Sequence, residues 1–331
     1  GDARCRRPNR LRTVHPSYRK KNPETTAAGG ADCTAPRSCA TSDHITNVSR
    51  NNNPKREGIM PFESIQGVRI YYEDHGEGET ILLLHHGFGC TRMWEEIFPP
   101  LVEQGYRVVM YDRRGYGRSD RGEDFEAFYV SDGFRAAGVR ELAGLKKALR
   151  LDTVHLVGQC EGGVLAVDYA LDHPEQVRSL SISSTQCYSG KDMAEFNREK
   201  FPKAFHELDP NLQKKLAEWH GADHAGRFFD MFRTLGGAYG TGVFDLRPLL
   251  PSVTCPGLVL YPDRSFLFDV EQGVTFYRLL PQGELAVLPK CGHNTYDQKP
   301  EAYVGEILAF LDRHREPKEG EPSSLAATCV H

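Results

Sequence analysis

From Gly67 onward, short apolar runs alternate with stretches whose apolar residues recur at helical spacing. The runs GVRIYYE (67–73), TILLLH (80–85), YRVVMYD (106–112), TVHLVG (153–158), SLSISS (179–184), GLVLY (257–261) and ELAVL (284–288) are rich in β-branched and aromatic residues and predict strands. DHGEGE, between the first two, carries two glycines and predicts a hairpin-like turn. Residues 132–150 place Val139, Leu142, Leu145 and Leu149 on one face, the pattern of a crossover helix lying on a sheet. Continuously apolar strands alternating with helices predict an α/β fold, with a mostly parallel sheet covered on both faces. The interval between SLSISS and GLVLY is too long for an ordinary crossover. Residues 188–248, with the helical pieces NLQKKLAEWH and AGRFFDMFRTL, therefore predict an inserted lid. Its Trp219, Phe228, Phe229 and Phe232 read as pocket or core packing.

Composition bounds the class. A chain of 331 residues, 39% of them hydrophobic, holds enough apolar surface for one large core or two modest ones. No apolar run approaches the 18 residues of a membrane span, so no membrane partner is expected. Nine cysteines, an odd number without paired spacing, read as reduced thiols in a cytoplasmic protein. Cys90, Cys187 and Cys291 fall on loops at one sheet edge, but without a C-x-x-C spacing neither a metal nor another cofactor is expected.

Charge is unevenly distributed. Residues 1–59 carry 12 Lys or Arg against 5 Asp or Glu, while the rest of the chain carries 29 against 40. A basic head suggests a nucleic-acid arm or a targeting peptide. It has neither an apolar core segment nor an amphipathic period, so residues 1–59 read as a disordered extension and no nucleic-acid partner is expected. The folded domain is placed at residues 60–315 and a polar tail at 316–331.

Three motifs carry candidate chemistry. In LVGQCEGG (156–163) a cysteine sits between glycines at a strand-to-helix junction. A free cysteine is most often a small buried residue, but a tight turn here would raise the Cys160 side chain above the sheet beside a helix N-terminus, as a nucleophile requires. Such a position would also lower the thiol pKa and raise its thiolate fraction. In LLLHHGFGC (82–90), the backbone amide of Phe88, together with that of Glu161 after the candidate nucleophile, would bind an oxyanion, while the His86 side chain serves the loop. In LPKCGHNTYDQKPE (288–301), His293 follows a strand and comes last in chain order, which makes it the candidate general base. Asp112 and the arginines of DRRGYGR read as braces for the neighbouring loop, and Glu161 also as a supporting carboxylate.

HHGFG, YDRRGYGRSD (111–120), GQCEGG and KCGHNTYDQKPE occur in the order and spacing of the α/β-hydrolase family, which the segment from Met60 to Arg315 resembles. The resemblance implies a central sheet with a catalytic triad and an oxyanion hole. Two positions depart from it. Family members usually carry serine where this chain has Cys160, which makes it similar to dienelactone hydrolases and to cysteine acyltransferases of that fold. The triad acid usually follows the strand corresponding to GLVLY in a G-x-x-D frame, where this chain has Ser265. Asp263 precedes that position and Asp269 follows it; Asp263 is the favoured acid, with Asp269 or a Cys-His dyad as alternatives. The implied activity is hydrolysis of an ester, thioester or lactone, a small-molecule acyl substrate, through a Cys160 acyl-enzyme. Acyl transfer to another acceptor and non-catalytic binding of a small molecule are the competing readings.

Overall fold

The computed structural model describes residues 61–315; the expectations for residues 1–59 and 316–331 lie outside the described residues. The strands are β1 (Phe62–Ile65), β2 (Val68–His75), β3 (Thr80–Leu84), β4 (Arg107–Tyr111), β5 (Val154–Gln159), β6 (Val177–Ser183), β7 (Tyr188–Asp192), β8 (Val243–Asp245), β9 (Gly257–Pro262) and β10 (Gly283–Leu288). Eight of them form one sheet in the order β1-β2-β4-β3-β5-β6-β9-β10, and β7 pairs with β8 in a separate ribbon. β1 and β2 run antiparallel to their neighbours, and every pairing from β4 to β10 is parallel. The expected parallel α/β sheet is thus present, with an antiparallel edge.

That edge differs from the expectation at DHGEGE. β2 does not pair with β3; it pairs with β4, Tyr72 opposite Tyr111. All five residues of β3 are buried, and the strand takes a central place with β4 on one side and β5 on the other. A strand buried on both faces belongs in the middle of such a sheet, not in an edge hairpin. The hairpin lies one strand earlier, where Ile65 pairs with Val68 across Gln66 and Gly67. Both turn residues have positive φ, 53° and 80°, as a two-residue turn matching the strand twist requires.

The helices are α1 (Phe98–Glu103), α2 (Phe125–Tyr129), α3 (Phe134–Ala148), α4 (Glu161–Asp172), α5 (Met193–Lys200), α6 (Pro210–His220), α7 (Ala225–Leu235), α8 (Val270–Leu279), α9 (Thr295–Gln298) and α10 (Pro300–Arg313). On one face of the sheet, Val139, Leu142 and Leu145 of α3 pack with Val164 and Val167 of α4 and Phe276 of α8. On the other, Leu101 of α1 packs with Ile307 and Phe310 of α10 around Trp94. The long interval between β6 and β9 is the helical insert formed by α5, α6 and α7, flanked by the β7–β8 ribbon. Among the described residues no helix is long and apolar enough to cross a membrane.

The first turn of α4 lies against the end of β3. A Cβ at Gly162 would stand 2.0 Å from the Leu84 carbonyl oxygen and 2.8 Å from that of His85. Both atoms are backbone and cannot swing aside. Gly162→Ala is therefore expected to cost about 3 kcal/mol or more, seen as a fall of roughly 10 °C in melting temperature by calorimetry. A fall below about 2 °C would show that this approach is not tight.

Candidate active site

β5 delivers its last residue into a sharp junction with α4. Cys160 has φ 52° and ψ −113°, a backbone region that side-chain-bearing residues rarely occupy. Backbone bonds hold it there: its N–H donates to Ser183 O at 2.8 Å, and its carbonyl accepts from Gly163 at 3.0 Å. This is the raised turn expected from G-x-C-x-G. The Cys160 sulfur meets the Tyr239 hydroxyl at 3.4 Å and the backbone N–H of Glu161. The side chain is nonetheless buried, and burial pushes the thiol up to about 12. A standing thiolate, expected from the helix N-terminus, is therefore not what this environment supports; desolvation outweighs the dipole.

His293 is fixed through its carbonyl, which accepts from Gln159 Nε2 at 2.9 Å and from Ser184 Oγ at 2.7 Å. Phe266 and Phe268 stand edge-on to its ring, and burial lowers the imidazole to about 3. Its Nδ1 lies 3.2 Å from Ser265 Oγ, which also accepts from the Leu267 and Phe268 amides. The favoured acid is placed differently. Asp263 is exposed; its Oδ1 accepts from the Cys291 N–H at 3.0 Å, and Oδ2 lies 3.5 Å from Arg264. Backbone N–H donors, from Cys291 first and Lys290 next, hold its carboxyl below the usual range. Asp269 is also exposed and opens α8 as its N-terminal cap residue. The residue that meets His293 is thus Ser265, at the very position where the family frame calls for the acid. The correction is that Asp263 holds the loop carrying His293 and does not touch the imidazole.

The oxyanion donors also need revision. Phe88 N–H donates to His86 Nδ1 at 3.0 Å, while His86 Nε2 lies 3.0 Å from the Tyr296 hydroxyl. Burial keeps His86 neutral, so Nδ1 accepts and Nε2 carries the proton. Of the two expected amides, that of Glu161 faces the sulfur and that of Phe88 is already engaged by His86. Glu161 acts through its side chain as well. Its carboxylate is buried, 3.2 Å from Arg113 Nη2 and 3.2 Å from the Ala238 amide, with Tyr116 Oη at 3.5 Å. Asp112 braces the loop as expected, accepting from the Thr91 and Arg118 amides at 2.6 and 2.8 Å.

Cys160, His293, His86, Phe88 and Tyr239 share one cavity of about 310 Å³. The insert supplies its apolar wall through Leu216, Trp219, Phe229 and Phe232. Phe228 instead joins Tyr116, Phe125 and Tyr129 in an aromatic cluster behind it. The sequence reading missed Tyr239, which sits in an insert with no motif of its own. It named Ser265 only as the place of a missing acid, although that spacing was the signal.

A strained junction cysteine, a histidine from the last strand's loop and an apolar cavity roofed by an insert on a parallel sheet define a hydrolase of the α/β type. The chain belongs to the α/β-hydrolase family. A model of the alpha/beta hydrolase fold matches residues 79–237. A proline iminopeptidase of Lactobacillus helveticus is 37% identical over 298 residues, covering 78% of this chain and 99% of that protein. A 2-hydroxy-6-oxo-6-phenylhexa-2,4-dienoate hydrolase of Burkholderia cepacia is 23% identical, with coverage of 81% and 99%. Among solved structures, the enol-lactonase of Burkholderia xenovorans LB400 superposes with a TM-score of 0.62 at 18% identity, covering 76% of this chain and 100% of that one. This likeness establishes the fold.

Two outcomes test the site. Ser265→Asp places a carboxylate on His293 Nδ1, where the Leu267 and Phe268 amides already converge, and is expected to raise kcat at least about tenfold on any turned-over ester. Asp263→Asn is expected to change kcat less than about threefold. A collapse of kcat in Asp263→Asn with retained circular dichroism would restore Asp263 as the acid. The pH profile is the second test. With His293 held near 3 and Cys160 near 12, both by burial, the neutral pair persists between those values. The profile of kcat/KM should be flat from about pH 5 to about pH 9. A limb near the ordinary histidine value of about 6.5 would contradict it.

Proposed function

We propose that this hydrolase cleaves an ester, thioester or lactone through an acyl-enzyme on Cys160. The observation that carries the reading is the junction cysteine at the base of an apolar cavity that it shares with His293. Sulfur attacks the substrate carbonyl while its proton passes to His293, because neither group is charged beforehand. The Glu161 amide stabilises the developing oxyanion. Collapse expels the leaving group, which takes the proton from the imidazolium. Water, deprotonated by the same histidine, then attacks the acyl carbonyl; collapse breaks the carbon–sulfur bond, and the imidazolium returns its proton to the departing Cys160 sulfur.

The bond class follows from what stands beside His293. Ser265 orients the ring but supplies no negative charge to stabilise imidazolium. An amide leaves only as a protonated amine and leans on that acid, whereas a thiolate, an enolate or an activated alkoxide departs with less help. The relatives named proline iminopeptidase suggest an amide bond next to a cationic N-terminal ring. Among the described residues no aspartate or glutamate lines the cavity to receive such a cation. Both points favour the ester, thioester or lactone reading over the peptidase one.

Turnover of p-nitrophenyl hexanoate against proline p-nitroanilide separates the two. The ester is expected to be cleaved, the anilide not, and Cys160→Ala is expected to abolish cleavage with little change in melting temperature. Faster turnover of the anilide, or ester turnover surviving in Cys160→Ala, would overturn the reading.

A further inference from the structure

Helix α6 turns one stripe toward the cavity: Leu212, Lys215, Leu216 and Trp219, at the spacing of a single helix face. Three of the four are apolar, as a cavity wall requires. Lys215 breaks the pattern. Its neighbour Lys214 lies outside the stripe, 3.8 Å from Glu218, in an ordinary exposed i,i+4 pair. Lys215 has no carboxylate partner among the described residues. Its ammonium stands 4.6 Å from the centre of the Trp219 ring, an arrangement that limits the swing of a long side chain.

The surroundings agree in sign. The imidazoles of His86 and His293 are held neutral by burial, so among the described residues lining the cavity Lys215 is the one with a full charge. A second ammonium, that of Lys200, donates to the carbonyl of the cavity residue Phe266 at 2.8 Å. Lys215 also acts inward: after burial, its positive charge contributes to holding His86 uncharged.

We infer that Lys215 is a specificity-determining residue that receives an anionic group of the substrate, remote from the scissile carbonyl. The substrate class is an acyl compound bearing a carboxylate or phosphate, on either the acyl chain or the leaving group. This rests on the acyl chemistry proposed for Cys160. Lys215 is exposed, so a pair of this kind favours the charged substrate by up to about fivefold, and salt screens it.

Binding is measured apart from turnover. In Cys160→Ala protein, titration of tryptophan fluorescence with monomethyl adipate and with methyl hexanoate is expected to give about fivefold tighter binding of the adipate. The difference should vanish when Lys215→Met is added. Turnover by the unaltered protein then compares mono-p-nitrophenyl adipate with p-nitrophenyl hexanoate, and hexanoyl-coenzyme A with the neutral hexanoyl thioester of N-acetylcysteamine. A Lys215-dependent preference within the first pair places the anion on the acyl chain, and within the second on the leaving group; either supports the assignment. Equal binding and turnover within both pairs, or a preference that survives Lys215→Met, overturns it while leaving the Cys160 chemistry standing. A Lys215-dependent binding preference with no turnover of any probe supports the anion site and overturns the acyl-hydrolase reading.

Discussion

The active-site end of the sheet is organised around one buried ion pair, Arg113 with Glu161. The guanidinium comes from the loop after β4 and the carboxylate from the first turn of α4. Arg113 also donates to the carbonyls of His85 and His86 at 3.4 and 3.3 Å and lies over the Tyr116 ring. Glu161 in turn accepts from the Ala238 amide at the end of the insert. Three segments far apart in sequence, the loop after β3, the junction after β5 and the insert, thus close on two side chains. Removing two charges from water is costly, and truncating either partner would leave the other charged and unpaired in the interior. That cost makes the arrangement unforgiving, and an unforgiving arrangement can hold Cys160 in a strained backbone conformation.

The same burial sets the protonation of Cys160 and His293. An exposed thiol beside a helix N-terminus gains from the dipole. At Cys160 the surrounding protein removes more hydration than the dipole returns, so the thiol is raised and His293 is lowered. The two shifts have one cause and the same effect, a pair that is neutral at rest. Ser265 is consistent with that state: it can hydrogen-bond a neutral imidazole and fix its orientation without placing a second charge in a dry cavity.

The framework and the insert supply different parts of the site. The sheet and its flanking helices position the junction, the histidine loop and the loop after β3. The insert supplies Trp219, Phe229, Phe232, Tyr239 and Lys215, hence the shape and sign of the space a substrate would enter. The aromatic cluster of Phe228 with Tyr116, Phe125 and Tyr129 packs that insert against the loop following β4 and against α2.

The sequence by itself determined seven of the ten strands among the described residues, the crossover helix α3, the length of the insert and the candidate pair Cys160 and His293. These are written locally, in apolar periodicity and in glycines flanking a junction, and local steric rules read them without knowing the rest of the chain. Only the tertiary structure decided that β2 pairs with β4, because which strand lies between two others depends on total burial and not on the turn joining them. Likewise, Asp263, two residues from the expected position, faces the Cys291 amide and solvent, whereas Ser265 faces the imidazole. The partners of Phe88, Glu161 and Tyr239, and the protonation of the thiol and the imidazole, were equally invisible. Each depends on desolvation and on contacts between residues scores of positions apart, quantities that exist only once the chain has folded.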